Sequence, residues 1–270
     1  TRFPMSQISH NKLEFTISRE FRDEEWDDFL SALPSGQFQQ SSLWARVKAA
    51  ESWNCARMLA RRDGRLLGGA QLLFRPSRWG MIGYISKGPV LVEAEQDLFP
   101  EFLQEIRSLG SSLGLKSWIV QPPDDSAWQE RALSRSGYLP ARVMGVVDST
   151  LFLDLSRSWD DLVGNINRST RQRAHQAERK GIRIREGSES DVGAFYELME
   201  TTCRRQRTRP NPGSAETLLE LWRAFGPGGG VRLTFAEKDG SLLAGQICLI
   251  FGCRVTGWKK GWRSSAYPLH

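Results

Sequence analysis

The segment Ala60-Arg-Arg-Asp63-Gly64-Arg-Leu66-Leu67-Gly-Gly69 returns 176 residues later as Ala236-Glu-Lys-Asp239-Gly240-Ser-Leu242-Leu243-Ala-Gly245, with six of ten positions identical. Asp-Gly between alternating apolar runs is a β-hairpin signal, because both residues tolerate the positive φ of a type I′ turn. Two unrelated hairpins could share that turn. Identity at fixed spacing beyond the turn favours one folding unit present twice.

The flanking pattern supports duplication. In the first half Leu13–Ser18 reads as a strand, and Glu24–Leu33 as a helix with Trp26, Phe29, Leu30 and Leu33 on one face. A second helix spans 42–50. Strands follow at 56–62, 66–75 and 79–86, the last two joined by Pro76-Ser77-Arg78. Then come a long helix (97–113), the strand Ser117–Gln121, a short helix (126–136) stopped by Gly137, and strands from Val143 to Leu155. The second half restarts with the strand Ile182–Arg185. A helix opens at the capping box Ser188-x-x-Asp191, a further helix covers Ala215–Phe225, and strands lie at 231–237, 242–251 and 253–259. The reading is therefore α/β (α+β): two tandem mixed-sheet domains, 1–150 and 151–270. The second lacks the closing helix, strand, helix and strands of the first. The chain as given is thus expected to be an inactive fragment, with the strand near 253–259 an uncovered sheet edge.

One continuous helix is expected at 159–180, capped by Ser158 and ended by Gly181. Trp159, Leu162, Ile166 and Ala177 fall on one face, and Arg168, Arg171, His175 and Arg179 form a stripe opposite. The stripe belongs to a wider excess. Residues 165–210 hold eleven Lys or Arg against six Asp or Glu, within a net charge of +6. Such a local surplus suits a phosphate, a nucleic acid or a lipid headgroup, or an ordinary solvated surface.

With 40% hydrophobic and 25% charged residues the chain can fill two cores. No apolar run approaches the ~18 residues of a membrane span, and Thr1–Met5 shows no secretory leader. Cys55, Cys203, Cys248 and Cys253 form no CxxC pair, and the histidines are scattered, so no metal site is expected and the thiols read as reduced in a cytoplasmic protein.

Several segments carry a family likeness. Phe38-Gln39-Gln40-Ser41-Ser42-Leu43-Trp44-Ala45-Arg46-Val47-Lys48 resembles a Q-S-x-x-W-x-x-x-K element. Tyr84-Ile85-Ser86-Lys87-Gly88-Pro89-Val90 resembles a Y-x-P-R/K-G-P-V turn. Thr170–Gly181 resembles a T-R-x-x-I-x-x-A-x-K-x-G helix, and Phe195–Met199 an F-Y-x-L helix. In this order they resemble the Fem family, whose members carry tandem GNAT-like (GCN5-related N-acetyltransferase) domains. Ser86 replaces the family's usual proline, and Gln121-Pro122 stands where an acidic residue before proline is common. The resemblance implies an aminoacyltransferase that moves an amino acid from aminoacyl-tRNA, as co-substrate without a bound cofactor, to the stem peptide of a UDP- or lipid-linked peptidoglycan precursor. It also implies peripheral contact with the inner membrane face.

Such a transfer needs a deprotonated amine held against an ester carbonyl, and cations for the precursor's phosphates. By resemblance Lys48 and Arg209 contact the precursor. Trp258 and Lys260 lie on the last strand, facing the expected cleft, with Trp258 equally readable as core. Arg168, Arg171 and Arg179 are the candidate tRNA contacts. Two other readings stay open: a coenzyme A-dependent N-acyltransferase of the same fold, and a non-catalytic module binding RNA or precursor. Arg65-Leu-Leu-Gly68-Gly-Ala70 fits the coenzyme A loop pattern R/Q-x-x-G-x-G/A. It falls inside a predicted hairpin, where its N–H groups pair with a strand rather than a phosphate.

Overall fold

The structure, a computed structural model, describes residues 13–124, 126–141 and 150–264. It divides into two compact units, Thr1–Pro140 with Ile250–Arg254, and Ala141–Leu249 with Val255–His270.

The first unit is a mixed sheet. Strands β1 (Leu13–Ser18), β2 (Asn54–Arg62), β3 (Arg65–Ser77), β4 (Gly80–Ser86) and β6 (Leu115–Gln121) lie in the order β1-β2-β3-β4-β6, and the two-residue β5 (Val90–Leu91) adds to β3. Neighbours are antiparallel except β4 and β6, which run parallel through the crossover helix α3 (Phe99–Ser112). Phe99, Phe102, Leu103 and Ile106 of α3 form the main core with Met58, Leu72 and Ile85, all 2% exposed or less. Helix α1 (Glu24–Ala32) buries Trp26 and Leu30 with Leu59 and Val90, and α2 (Ser42–Ala49) sets Ala45 with Cys55 and Leu73. The unit closes its described course with α4 (Ala127–Arg135), which Gly137 follows at φ +81°.

Strand β2 is buried on both faces, so the charge of Arg57 within it must be matched. Its guanidinium donates to Asp23 Oδ2 at 2.9 Å and to Gln71 Oε1 at 2.8 Å. Asp23 also caps α1 by accepting from Trp26 N.

The second unit begins with α5 (Trp159–Asn165), α6 (Arg168–Arg179), β7 (Arg183–Glu186), α7 (Val192–Arg205) and α8 (Ala215–Phe225). Strands β8 (Val231–Lys238), β9 (Ser241–Phe251) and β10 (Arg254–Trp262) then complete a sheet in the order β10-β9-β8-β7. Its buried side chains come from α7 (Phe195, Leu198, Met199), α8 (Leu218, Leu221, Phe225) and the strands (Leu233, Phe235, Ile247).

The repeated segments occupy equivalent places. Each is the turn joining the second and third strands of its unit, between β2 and β3 and between β8 and β9. Asp63 and Gly64 take φ +50° and +77°; Asp239 and Gly240 take +50° and +74°. Each hairpin slips register at the same distance from its turn, at Ala60/Arg61 and Ala236/Glu237. The last repeated glycine has a packing cause. A Cβ on Gly69 would lie 2.9 Å from the Trp26 ring, and one on Gly245 would lie 2.9 Å from the Phe195 ring. In each unit an aromatic residue of the helix after the first strand rests directly on bare backbone.

The structure corrects several expectations. The single helix at 159–180 is two helices, because Ile166 and Asn167 are extended (ψ 133° and 135°). Asn167 Oδ1 accepts from Ser169 N at 2.8 Å and starts α6 afresh, the local competition that Asn offers a helix interior. The expected apolar face is lost with the break: Trp159 is 77% and Ile166 43% exposed. Strand β3 runs through Pro76 to Ser77, so the turn before β4 is Arg78-Trp79. Of the strands expected from Val143 to Leu155, 142–149 lie outside the described residues and 150–155 form no strand.

Candidate functional site

Parallel strands connected by a crossover helix leave a crevice beyond their carboxyl ends. In the first unit β4 and β6 end there at Ser86 and Gln121, which are register partners. Alternation puts Ile85 in the core with Phe99 and Phe102 and turns Ile82, Tyr84 and Ser86 to the other face, beside Ser117, Ile119 and Gln121. On that face Ile82, Tyr84, Ile119 and Gln121 are half-buried. At its end Gln121 Oε1 accepts from Tyr84 Oη at 2.5 Å and from Ser86 Oγ at 3.3 Å. Burial pushes the Tyr84 hydroxyl above its usual pKa, so it stays a donor. Lys87 follows in the left-handed region, φ +57°, and pairs with Asp124.

Gln40 ties this end to the element preceding α2. It donates to Ser86 O at 2.6 Å, and its Oε1 accepts from Gln71 N at 2.7 Å. A Cβ at Gly88 would approach the Gln40 amide to 2.6 Å, so the turn after β4 admits only glycine there. The two segments Phe38–Lys48 and Tyr84–Val90, 46 residues apart at this bond, thus meet around one buried amide.

Lys48 lies one turn beyond Trp44 on α2. Its Nζ is 5.8 Å from the Trp44 ring centroid and 6.0 Å from that of Trp53, and it pairs with Glu51. Arg75 stacks on Trp53 at 4.4 Å. Trp44 and Trp53 pack with Leu73, and in the β3/β4 register Leu73 faces Tyr84 and Arg75 faces Ile82. The cation–aromatic cluster therefore borders the open β4/β6 face.

In the second unit a cavity of about 250 Å³ is lined by Arg209, Lys259, Lys260 and Trp262 of the loop and last strand, with Cys203 and Gln206 from the end of α7. Lys260 Nζ sits 5.8 Å from the Trp262 ring. The strand end is pinned to α7: Trp262 N donates to Thr202 Oγ1 at 2.8 Å, and a Cβ on Gly261 would clash with Met199 N at 2.4 Å. Arg209 and Lys260, 51 residues apart, share this cavity. Trp258 is half-buried on the same strand, with Lys259 Nζ 5.1 Å from its ring, and does not line the cavity.

Of the α6 stripe, Arg168, His175 and Arg179 are exposed. Arg171 is half-buried and turned inward. Its Nη1 donates to Val163 O at 3.2 Å and Gly164 O at 3.5 Å, satisfying carbonyls that end α5. His175 Nδ1 lies 3.4 Å from Glu178 Oε2. Among the described residues no group of three His, Cys, Asp or Glu is placed to hold a metal, and no helix is long and apolar enough to cross a membrane. The coenzyme A-like segment Arg65–Ala70 lies in β3, where Gly68 and Gly69 pair with β2 on one side and β5 on the other.

Residues 21–132 match the FemAB family model, and residues 165–270 match the acetyltransferase (GNAT) domain model. The first unit is thus similar to the FemAB family and the second to GNAT acetyltransferase domains. The chain is 23% identical over 195 residues to the lipid II:glycine glycyltransferase of Staphylococcus aureus (strain MRSA252), covering 68% of this chain and 46% of that protein. The same-named protein of Staphylococcus aureus (strain COL) gives the same identity and coverage. The chain therefore spans about half the length of these curated relatives. Among solved structures, a crystal structure of FemX aligns with TM-score 0.78 at 16% identity, over 95% of this chain and 82% of that one. That likeness carries the fold, two tandem GNAT-like units.

Sequence reading missed the partners that make these sites. Gln40 and Gln71 look like ordinary polar residues until β3 and β4 are placed. Arg57 carried a usable signal, a charge at an inward position of an otherwise small and apolar strand.

Proposed function

We propose that this chain belongs to a Fem-type aminoacyltransferase that moves an amino acid from aminoacyl-tRNA to the stem peptide of a lipid-linked peptidoglycan precursor at the cytoplasmic face of the membrane. One observation carries the reading: Arg209, Lys259 and Lys260 line a single cavity. The basic residues bordering this space of about 250 Å³ suit a diphosphate, the group that joins such a precursor to its lipid. The relatives named lipid II:glycine glycyltransferases favour the lipid-linked form.

The chemistry asks little of a protein nucleophile. The acceptor amine loses a proton and attacks the ester carbonyl; the new N–C bond forms as the C–O bond to the tRNA ribose breaks, and the ribose hydroxyl leaves with a proton. The ester is already activated, so holding the two substrates together supplies much of the rate. Lys48, set between Trp44 and Trp53, is proposed to contact the precursor, and Trp258 to wall the approach beside Lys260. The exposed cations of α6, Arg168 and Arg179, are proposed to meet the tRNA backbone. No cofactor is required.

The test is equilibrium binding of the lipid-linked precursor in detergent micelles to the wild type and to Arg209→Ala/Lys260→Ala. Losing charge-assisted contacts is expected to weaken binding by roughly 10- to 100-fold. Unchanged affinity would remove the diphosphate reading of the cavity.

A further inference from the structure

Strand β3 is the longest of its sheet, and its end outruns both neighbours. Strand β2 follows it only as far as the Asn54–Phe74 rung, and β6 meets β4 only from Leu115, opposite Met81. The last rung of the β3/β4 hairpin, Ser77–Gly80, and the turn Arg78-Trp79 therefore project beyond the sheet. One hydroxyl ties this tip together: Ser77 Oγ donates to Gly80 O at 2.7 Å and accepts from Trp79 N at 3.1 Å. At the apex Trp79 is 74% exposed, and the Arg78 guanidinium lies 4.7 Å from its ring.

A single exposed tryptophan is ordinary. This one stands among cations. Arg75, Arg78 and Lys116 are all exposed. The Lys116 stem runs beside Gly80, where a Cβ would come within 2.6 Å of its Cγ, and Arg75 stacks on Trp53 at 4.4 Å. Among the described residues none of the three has a carboxylate partner. Behind them Glu51 is already paired with Lys48. The tip thus offers an indole and three uncompensated positive charges on a rigid, convex turn.

That combination suits a flat anionic lipid surface. An indole settles between headgroups and acyl chains with its N–H on the polar side, and each neighbouring Lys or Arg is drawn to the negative surface. A single-stranded nucleic acid instead takes a groove that follows its backbone, with rings for successive bases; a projecting tip with one exposed ring does not supply it. We infer that the Arg78-Trp79 tip, with Arg75 and Lys116, docks the first unit on an anionic phospholipid bilayer. This goes beyond the proposed function, which needs a membrane nearby but assigns no surface to it, and it does not depend on that reading. Lys48 shares the Trp53 ring with Arg75, so a docked tip holds this proposed precursor contact near the headgroups.

The experiment is flotation of the whole chain with precursor-free vesicles, of phosphatidylcholine alone or mixed with phosphatidylglycerol. The net charge of +6 draws any face of the chain toward anionic lipid, so the tip variants decide. Arg78→Ala/Lys116→Ala is expected to weaken partitioning onto the mixed vesicles about 25-fold, roughly fivefold per cation. Trp79→Ala is expected to weaken it about tenfold. All three side chains are exposed, so thermal unfolding should stay near wild type. Trp79→Phe is expected to keep most of the binding but to lose the quenching of tryptophan emission by bromine-labelled lipid, which locates the ring in the bilayer. A wild type that does not float with the mixed vesicles, tip variants that partition as it does, or quenching that survives in Trp79→Phe overturns the inference. So does a double variant that loses tRNA affinity but not vesicle affinity, which would make the tip a nucleic-acid surface. A chain that docks through its tip yet fails to bind lipid-linked precursor in micelles would sink the proposed function and leave the docking surface standing.

Discussion

The side-chain amide of Gln40 donates to the backbone carbonyl of Ser86 at 2.6 Å, and both residues are buried. The same amide accepts from Gln71 N at 2.7 Å, so one side chain satisfies backbone groups on β3 and at the end of β4. This sets where β4 stops and hence where Ser86 and Gln121 stand. Gln40→Ala is expected to destabilise the first unit by about 2–4 kcal/mol, since two buried polar groups lose their partner. Gln40→Glu keeps the acceptor for Gln71 N but opposes the Ser86 carbonyl, and is expected to cost as much. Urea unfolding with a probe in the first unit measures both. A loss under 0.5 kcal/mol would mean that water replaces the amide without penalty.

The repeated glycines allow a paired test. Gly69→Ala drives a methyl toward Met58 O at 2.5 Å and the Trp26 ring, and Gly245→Ala drives one toward Phe195 and Phe235. Each is expected to cost about 1–3 kcal/mol in its own unit, the usual penalty of overpacking a filled core. Gly64→Ala and Gly240→Ala have open space but a left-handed backbone, and each is expected to cost about 1 kcal/mol. A large loss at Gly69 with none at Gly245 would show that the two copies no longer share this contact.

Much of the fold was legible because its signals are local. Asp-Gly turns, the Ser188-x-x-Asp191 box and the stripe from Trp26 to Leu33 are all set by neighbours in sequence. The break at Ile166-Asn167 was also local, but periodicity alone passes over it: the faces line up on paper although Asn167 prefers to cap. The two-residue β5 is too short to carry a pattern. The candidate sites were half legible. Arg209 and Lys260 were selected separately, and only the docking of Trp262 and Gly261 on α7 brings them to one cavity. The Tyr84–Gln121 bond needed the β4/β6 register, which no local pattern encodes.

Asp191 gives a pH test. Hydrogen bonds from Arg185, first among the causes, and from the Ser188 backbone hold its carboxyl down to about 2. A carboxyl depressed in the folded state stabilises at pH above its unfolded value of ~3.9, and that contribution fades as pH falls toward about 2. Asp191→Asn is therefore expected to cost most near neutral pH and progressively less below about 4. Unfolding midpoints of both proteins between pH 7 and 2.5 measure the gap. A gap that stays constant over that range would exclude the ionised pair as its source.

The α6 arginines are expected to separate into two kinds. Arg171 donates to Val163 O and Gly164 O, so it holds the end of α5 against the start of α6 across the Ile166-Asn167 break. Removing it leaves Val163 O with the Ile166 N–H alone and Gly164 O without the guanidinium, which loosens the junction. Arg168 and Arg179 are exposed and point into solvent from a helix that buries no side chain. A triple Arg168→Ala/Arg171→Ala/Arg179→Ala variant would therefore confuse two effects, loss of charge and loss of a helix cap. The informative comparison is Arg168→Ala/Arg179→Ala against Arg171→Ala alone. The double variant is expected to leave unfolding within about 0.5 kcal/mol of wild type, as surface changes do. It should weaken tRNA binding and lower the slope of log affinity against log salt by about one per arginine. Arg171→Ala is expected to speed amide hydrogen exchange in α5 while changing the salt slope by less than either of the others. If Arg171→Ala flattened the salt dependence as strongly as the double variant and left α5 exchange unchanged, its bond to the α5 carbonyls would be incidental, and all three arginines would act as one anion-binding face.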